Sequence, residues 1–164
     1  IYIKVKTGDY SSTTGNVSLE GGSNGTHDLI KNLTADDDSP APTGGYIYPF
    51  DQVYRTSCEF GGYEGHTGMD IASPLSTTVK AVADGTVLFT RAGSTGYGVY
   101  VVINHGGGVV TLYAHNRKLL VGEGQRVSKG DPIALSGSTG NSSGPHLHLE
   151  FVIDGVPKNP RLYL

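Results

Sequence analysis

Glycine is the residue that most constrains how this chain can fold, because it occupies 25 of the 164 positions. That share is about twice the usual one, and glycine destabilises the interior of a helix. From Tyr46 onward the glycines separate short runs that are rich in β-branched and aromatic residues. Turn signals such as Asp84-Gly85 and the run 106–108 join these runs, as in β-hairpins. The pattern predicts a mainly β fold with an antiparallel sheet.

The predicted strands are short and close together. They cover residues 79–83, 86–89, 97–104, 109–114, 131–136 and 146–153. A helical turn is predicted only at residues 116–120 in this part of the chain. Uncharged apolar runs are far shorter than the roughly 18 residues that a membrane-spanning helix needs, so no membrane span is predicted.

The N-terminal quarter of the chain has a different character. Residues 1–44 carry three Lys and six Asp or Glu, whereas the remainder carries nine of each kind. A domain without net charge offers no basic face to nucleic acid, so nucleic acid is excluded as a partner. Two prolines, a glycine pair and an acidic run predict a linker at 35–45. The predicted units are therefore an arm or remnant of an upstream domain at 1–34, the linker, and one domain at 46–164.

Within the arm the residue pattern is weak. It is predicted as a strand at 2–6, a loop at 7–27 and a short helical turn at 27–33. The chain opens on Ile1-Tyr2-Ile3 with no charged segment before it, which is expected of a mature or trimmed product.

Two histidines lie two residues apart in the predicted strand that begins at His146. Alternation along a strand places the His146 and His148 imidazoles on one side, with Leu147 and Leu149 on the other. Paired imidazoles on one strand face suit a metal site, and they also suit a solvated polar face. The spacing does not decide which of the two histidines would be the ligand.

A second candidate cluster lies in a glycine-rich loop that holds His66 and Asp70. An imidazole and a carboxylate, brought to a further histidine, form the nitrogen and oxygen donor set that suits zinc, with a fourth position open to water. Taken singly, His66 is also explained as a loop histidine and Asp70 as a turn-capping carboxylate. A third histidine, His115, ends a predicted strand, where single histidines are common.

Three segments, taken in order, resemble the motif set of the M23 peptidases, the lysostaphin/LytM-like zinc endopeptidases that cut peptidoglycan peptides. The segments are His66 to Asp70, Leu112 to His115 and Gly144 to Glu150. The intervening sequence is similar as well, so the resemblance covers Tyr46 to Pro160. It implies an antiparallel sheet of the lysostaphin-like (duplicated hybrid motif) type, with loops that form a groove over the metal.

The resemblance also implies roles for individual residues. His66, Asp70 and His148 match the ligands of one zinc ion, and His115 and His146 match the two catalytic histidines. The implied activity is a zinc metalloendopeptidase that hydrolyses peptide bonds in peptidoglycan stem peptides or cross-bridges with zinc-activated water. Peptidoglycan is the implied partner, and the implied location is extracellular or in the cell envelope.

Four further residues receive their own expectations. Tyr63 is a candidate to stabilise the transition state, because family members often use a loop tyrosine. Cys58 has no partner cysteine, so it is not expected to bind zinc or form an internal disulfide. His27 and His105 are expected to be exposed.

Other functions remain open. A catalytically silent M23-like protein could act as a scaffold or activator of other wall hydrolases, although the ligand set is complete. A peptidase in a phage tail or other cell-penetrating assembly is a further alternative, attached through residues 1–44 and located in the virion. Residues 121–133 also resemble a hairpin of lipoyl or biotinyl carriers, but they offer no convincing modifiable lysine at a tight turn.

Overall fold

The computed structural model describes residues 22–35 and 37–164. The predicted strand at 2–6 and most of the predicted loop at 7–27 lie outside the described residues. The described part begins with helix α1 (Gly22–Thr34) and ends in a 3-10 turn at Pro160–Leu162. Between them lie β1 (Thr56–Cys58), β2 (Met69–Ile71), β3 (Thr78–Lys80), β4 (Gly85–Ala92), β5 (Val99–Gly106), β6 (Val109–Asn116), β7 (Lys118–Leu119), β8 (Arg126–Val127), β9 (Pro132–Leu135), β10 (Leu147–Ile153) and β11 (Val156–Lys158).

The strands form two antiparallel sheets. The larger has the order β1-β2-β10-β6-β5-β4-β8, and β11 pairs with the free part of β10. The smaller has the order β3-β9-β7. The predicted mainly β, antiparallel class is confirmed, and so are the strands predicted around β3, β4, β5, β6, β9 and β10.

The large sheet has two different faces, because successive side chains of a strand point to opposite sides. Its inner face packs on the small sheet and forms the main apolar core, which includes Ile103, Tyr113, Leu149, Val79 and Ile133. Its outer face carries a smaller apolar cluster, with Val102, Val110, Leu112 and Val152, which is covered by Ile30 of α1. His148 lies on the same outer face as Val152, four positions earlier on β10.

Helix α1 is longer than predicted and lies on the domain. Residues 22–27 are helical rather than loop, and the helical turn predicted at 27–33 is part of this helix. Thr26, Ile30 and Thr34 are buried at a spacing of four residues, which is the buried face of an amphipathic helix. The helix is therefore stabilised by packing, which a glycine-rich local sequence does not reveal.

Three other expectations are corrected. Residues 118–119 form β7 and pair with β9, so the helical turn predicted at 116–120 is wrong. His27 and His105 are buried, with exposures of 5% and 6%, rather than exposed. The Nδ1–H of His105 donates to the Asp84 carbonyl (2.8 Å), and its Nε2 lies 2.7 Å from the Thr111 hydroxyl. Each buried histidine thus has the polar partners that make its burial tolerable.

The described part of the predicted linker, residues 37–45, has no regular secondary structure. It nevertheless contacts the domain, because Asn104 Nδ2 donates to Asp37 (2.6 Å) and the Gly107 amide donates to the Ser39 carbonyl (2.6 Å). The domain boundaries stay a prediction. Among the described residues, no helix combines the length and the apolar character required to cross a membrane.

Candidate active site

The register of three neighbouring strands assembles the site. Asp70 on β2 pairs directly with His148 on β10, and His148 pairs with Ala114 on β6. Residues directly opposite each other in an antiparallel pair point to the same face. Asp70 and His148, which are 78 positions apart in sequence, therefore meet on the outer face. Asp70 lies on a strand, although the sequence pattern around it predicted a loop.

Two imidazole nitrogens point at one carboxylate oxygen. His66 Nε2 lies 3.1 Å from Asp70 Oδ1, and His148 Nδ1 lies 2.7 Å from the same oxygen. His66 Nε2 is buried and has no hydrogen-bond partner among the described residues. An unpartnered buried nitrogen is costly, and a lone pair in this position is suited to a metal ion. The two nitrogens and one oxygen fit a zinc ion.

The electrostatics of this cluster favour a cation. Burial opposes ionisation of Asp70, but the His148 and His66 imidazoles beside it outweigh this effect and lower its pKa to about 2. Burial disfavours a charged His148, but its bonds to Asp70 and Glu150 raise its pKa to about 9. Two carboxylates thus stabilise positive charge around one imidazole. The same two carboxylates would also stabilise a bound divalent cation.

The second ring nitrogen of each of these histidines fixes the orientation of the first. His66 Nδ1–H donates to the Glu59 carbonyl oxygen (2.7 Å), which can only accept and so leaves the lone pair on Nε2. His148 Nε2–H donates to Glu150 Oε1 (2.9 Å), so Nδ1 is the ring nitrogen that faces the site and would bind a metal once its proton is lost. Such contacts typically hold metal-binding histidines in place.

Cys58 lies close by but behind His66. Cys58, His66 and Asp70 offer donor atoms within 4.8 Å of one another. The thiol, however, is 3.6 Å from His66 Nδ1, the nitrogen that donates to Glu59. Burial and the charge of Asp70 raise the pKa of the thiol. We therefore favour His148 over Cys58 as the third donor.

His115 and His146 lie beside this cluster. Their ring centroids are 4.7 Å apart, and His115 is 5.8 Å from the His148 ring. His146 Nε2 is 3.9 Å from Asp70 Oδ1. The Nδ1–H of His115 donates to the Thr139 carbonyl (2.7 Å) and that of His146 to the Gly144 carbonyl (2.8 Å). Both rings therefore keep Nε2 as a proton acceptor.

The backbone at His115 explains how its ring reaches the site. Strict alternation on β6 would place His115 on the inner face with Tyr113, opposite to Ala114. His115 instead has φ +61°, a left-handed conformation that is unusual for a residue with a side chain. This local turn brings the imidazole to His146. Non-glycine residues in such conformations cluster at functional sites.

Gly68 allows the loop that holds His66 to pack closely against β10. A Cβ at Gly68 would lie 2.5 Å from the Leu149 carbonyl oxygen and 2.8 Å from the ring of His148. Only glycine fits this contact without displacement. Tyr63, in the same loop, stacks on His66 with ring centroids 4.6 Å apart and is 61% exposed.

The structure brings together all five residues that the sequence singled out: His66, Asp70, His115, His146 and His148. It also adds Glu150, which is completely buried behind His148. The i+2 spacing from His148 could have pointed to Glu150, because it places both on one strand face. Its other partners, Thr67, Tyr97 and His27, had no such signal.

Comparison with known proteins agrees with this geometry. A sequence profile described as peptidase family M23 matches residues 64–160. Peptidoglycan DD-endopeptidase ShyA of Vibrio cholerae is 42% identical over 121 residues, which are 68% of this chain and 28% of that protein. DD-carboxypeptidase/endopeptidase Mpg of Neisseria meningitidis is 50% identical over 95 residues, 58% of this chain and 22% of that protein. The chain thus spans about a quarter of the length of these relatives.

Solved structures show the same likeness. A zinc-containing peptidase from Vibrio cholerae superposes with a TM-score of 0.66 at 34% identity, over 70% of this chain and 39% of that one. Lysostaphin from Staphylococcus simulans superposes with a TM-score of 0.60 at 27% identity, over 71% of this chain and 52% of that one.

Proposed function

This chain belongs to peptidase family M23, and we propose that it is a zinc metalloendopeptidase that cuts peptide bonds in peptidoglycan stem peptides or cross-bridges. The observation that carries the proposal is the convergence of His66 Nε2 and His148 Nδ1 on Asp70 Oδ1, with His66 Nε2 otherwise unpartnered among the described residues. ShyA is a peptidoglycan DD-endopeptidase and Mpg is a DD-carboxypeptidase/endopeptidase, which supports the substrate class.

In this proposal His66, Asp70 and His148 hold one zinc ion. When bound, zinc polarises a carbonyl and makes water nucleophilic at neutral pH. The protein contributes the orientation of the three donors, since His66 is fixed by the Glu59 carbonyl and His148 by Glu150. Both supports lie on the side of the ring away from Asp70, so neither competes for the donor atom.

His115 and His146 move protons in this scheme. A neutral Nε2 accepts a proton from the attacking water, and the same Nε2 then delivers it to the leaving amine. The second histidine, when Nε2 carries a proton, stabilises the negative charge that develops on the carbonyl oxygen. Their carbonyl partners at Thr139 and Gly144 keep the proton on Nδ1 in both rings, so Nε2 is the atom that takes up or gives the proton. Tyr63, stacked on His66, is the proposed further donor to the transition state.

The test is digestion of purified peptidoglycans that differ in cross-bridge type, followed by mass analysis of the fragments. We expect new amine and carboxyl ends at one kind of peptide bond, loss of cleavage with a chelator, and recovery when zinc is restored. Chelator-insensitive cleavage would contradict the proposed mechanism. Zinc binding without cleavage of any peptidoglycan would favour the catalytically silent scaffold. The cell envelope is the proposed place of action, because the substrate lies there.

A further inference from the structure

Glu150 is a buried carboxylate that is fully engaged. Its side chain has no exposure to solvent. The Oε1 atom accepts from His148 Nε2 (2.9 Å), Thr67 Oγ1 (2.6 Å) and Tyr97 Oη (2.5 Å). The Oε2 atom accepts from His27 Nε2 (2.5 Å). Glu150 thus makes four contacts, three at Oε1 and one at Oε2, and a carboxylate offers about four acceptor positions in all.

His148 differs from the other site histidines in what supports it. His66, His115 and His146 each donate Nδ1–H to a backbone carbonyl, whose position is set by the chain itself. His148 donates instead to the side chain of Glu150. A carboxylate can rotate about its side-chain bonds, so contacts to both of its oxygens decide how firmly it orients an imidazole. Thr67 and Tyr97 hold Oε1, which leaves the contact to Oε2 to complete the restraint.

Helix α1 supplies the contact to that second oxygen. Ile30 of α1 is completely buried and packs in the outer apolar cluster with Val110 and Val152. His27 lies three residues before Ile30 and so faces the same side of the helix. Docking of Ile30 therefore places His27 over Glu150. The helix ends at Thr34, thirty residues before the region that matches the family profile begins.

We propose that His27 is a positioning residue of the zinc site: α1 delivers its imidazole to Glu150 Oε2 and thereby fixes the carboxylate that orients His148. The inference rests on the zinc site proposed above. It makes α1 an outer part of the metal site as well as a cover for the sheet. An arm residue, outside the family motifs, then contributes to metal affinity.

The competing explanation is a purely structural contact, in which His27 only satisfies a buried charge and anchors the helix. Both explanations expect lower thermal stability when His27 is removed. Only the positioning role expects a weaker and differently shaped metal site while α1 remains docked. Zinc affinity and the spectrum of a substituted metal ion therefore separate them.

The experiment compares the full chain with His27→Ala, His27→Gln and Leu33→Ala. The glutamine amide can still donate to Glu150. Leu33 is half-buried against the same outer cluster and its side chain has no group that can hydrogen-bond to Glu150, so it is the control for helix packing. Zinc dissociation constants are measured by competition with a chromophoric chelator, and absorption spectra are recorded with Co²⁺ in place of zinc. Thermal melting identifies any variant that is unfolded.

We expect His27→Ala to weaken zinc binding about 10- to 100-fold and to alter the Co²⁺ spectrum. We expect His27→Gln to recover most of the loss and Leu33→Ala to bind zinc like the unmodified chain while melting earlier. Unchanged zinc affinity in His27→Ala would overturn the inference, and so would an equal loss in Leu33→Ala. Failure of the unmodified chain to bind zinc would overturn the proposed function itself and this inference with it.

Discussion

The two ends of strand β10 have different functions on the same face of the sheet. Val152 lies in the apolar cluster under α1, whereas His148 and His146 line the candidate active site. Glu150 lies between them and is bonded to His148 on one side and His27 on the other. The steps between these residues are two positions each, so one strand face changes from core to site within seven residues. The buried Glu150 carboxylate lies at the boundary between core and site. It accepts hydrogen bonds from His148 in the site and from His27 of α1 beside the apolar cluster.

The largest effect is expected at the site end, from His148→Ala. This change removes one zinc donor and leaves the buried Glu150 without one of its two imidazole partners. We expect bound zinc to fall toward zero and peptidoglycan cleavage to fall by more than about 10⁴-fold, beyond the loss expected for a missing acid–base group. Metal analysis of the purified variant and turnover measurements check this. Normal zinc content would remove His148 from the donor set.

Replacement of His115 or His146 tests whether zinc binding and proton transfer are carried out by different residues of the site. We expect His115→Ala and His146→Ala to keep one bound zinc, because neither ring is among the three proposed donors. Turnover should fall about 10²- to 10⁴-fold, the usual contribution of general acid–base catalysis. Zinc content and turnover are measured on the same preparations. Normal turnover by the His115 variant would show that His115 is not catalytic. Loss of zinc from either variant would show that the replaced histidine is a zinc donor.

A smaller effect is expected from Tyr63→Phe. The ring stacks on His66 and is retained in the variant, so only the hydroxyl is lost. Because the side chain is 61% exposed, its hydrogen bond to a transition state is partly replaced by water. We expect kcat to fall about 10-fold, less than for a fully enclosed donor, with zinc content unchanged. An unaltered kcat would show that the tyrosine has no part in the chemistry.

The smallest effect on activity is expected at the other end of the strand, from Val152→Ala. Val152 is completely buried beneath α1. The variant should lose roughly 2 kcal/mol of unfolding free energy from lost burial and a residual cavity. Zinc affinity and turnover below the melting temperature should match those of the unmodified chain. Calorimetry and chelator competition test this, and a loss of zinc affinity would show that the two ends of β10 are not separable.

The contrast also shows where sequence patterns are sufficient. Val110, Leu112 and Val152 follow strand alternation, and the strands around them were predicted closely. His115 breaks alternation through its positive φ, and Lys118 and Leu119 form a strand only because β9 is available to pair with them. Asp70 was assigned to a loop because β2 is three residues long. Strands this short are stabilised by their neighbours and carry little local signal.

The sequence by itself determined the β class and the main strands, because alternation and turn residues are local properties of the chain. Its resemblance to the M23 motifs, rather than alternation or spacing, singled out the five residues of the candidate site. Only the tertiary structure decided that α1 covers the sheet, that His27 and His105 are buried, and that Glu150 links the helix to His148. These outcomes depend on contacts between residues as far apart as His27 and Glu150, which lie 123 positions from each other. Packing between distant segments decides which residues are buried and which partners they bond to, and no single segment of the chain contains that information.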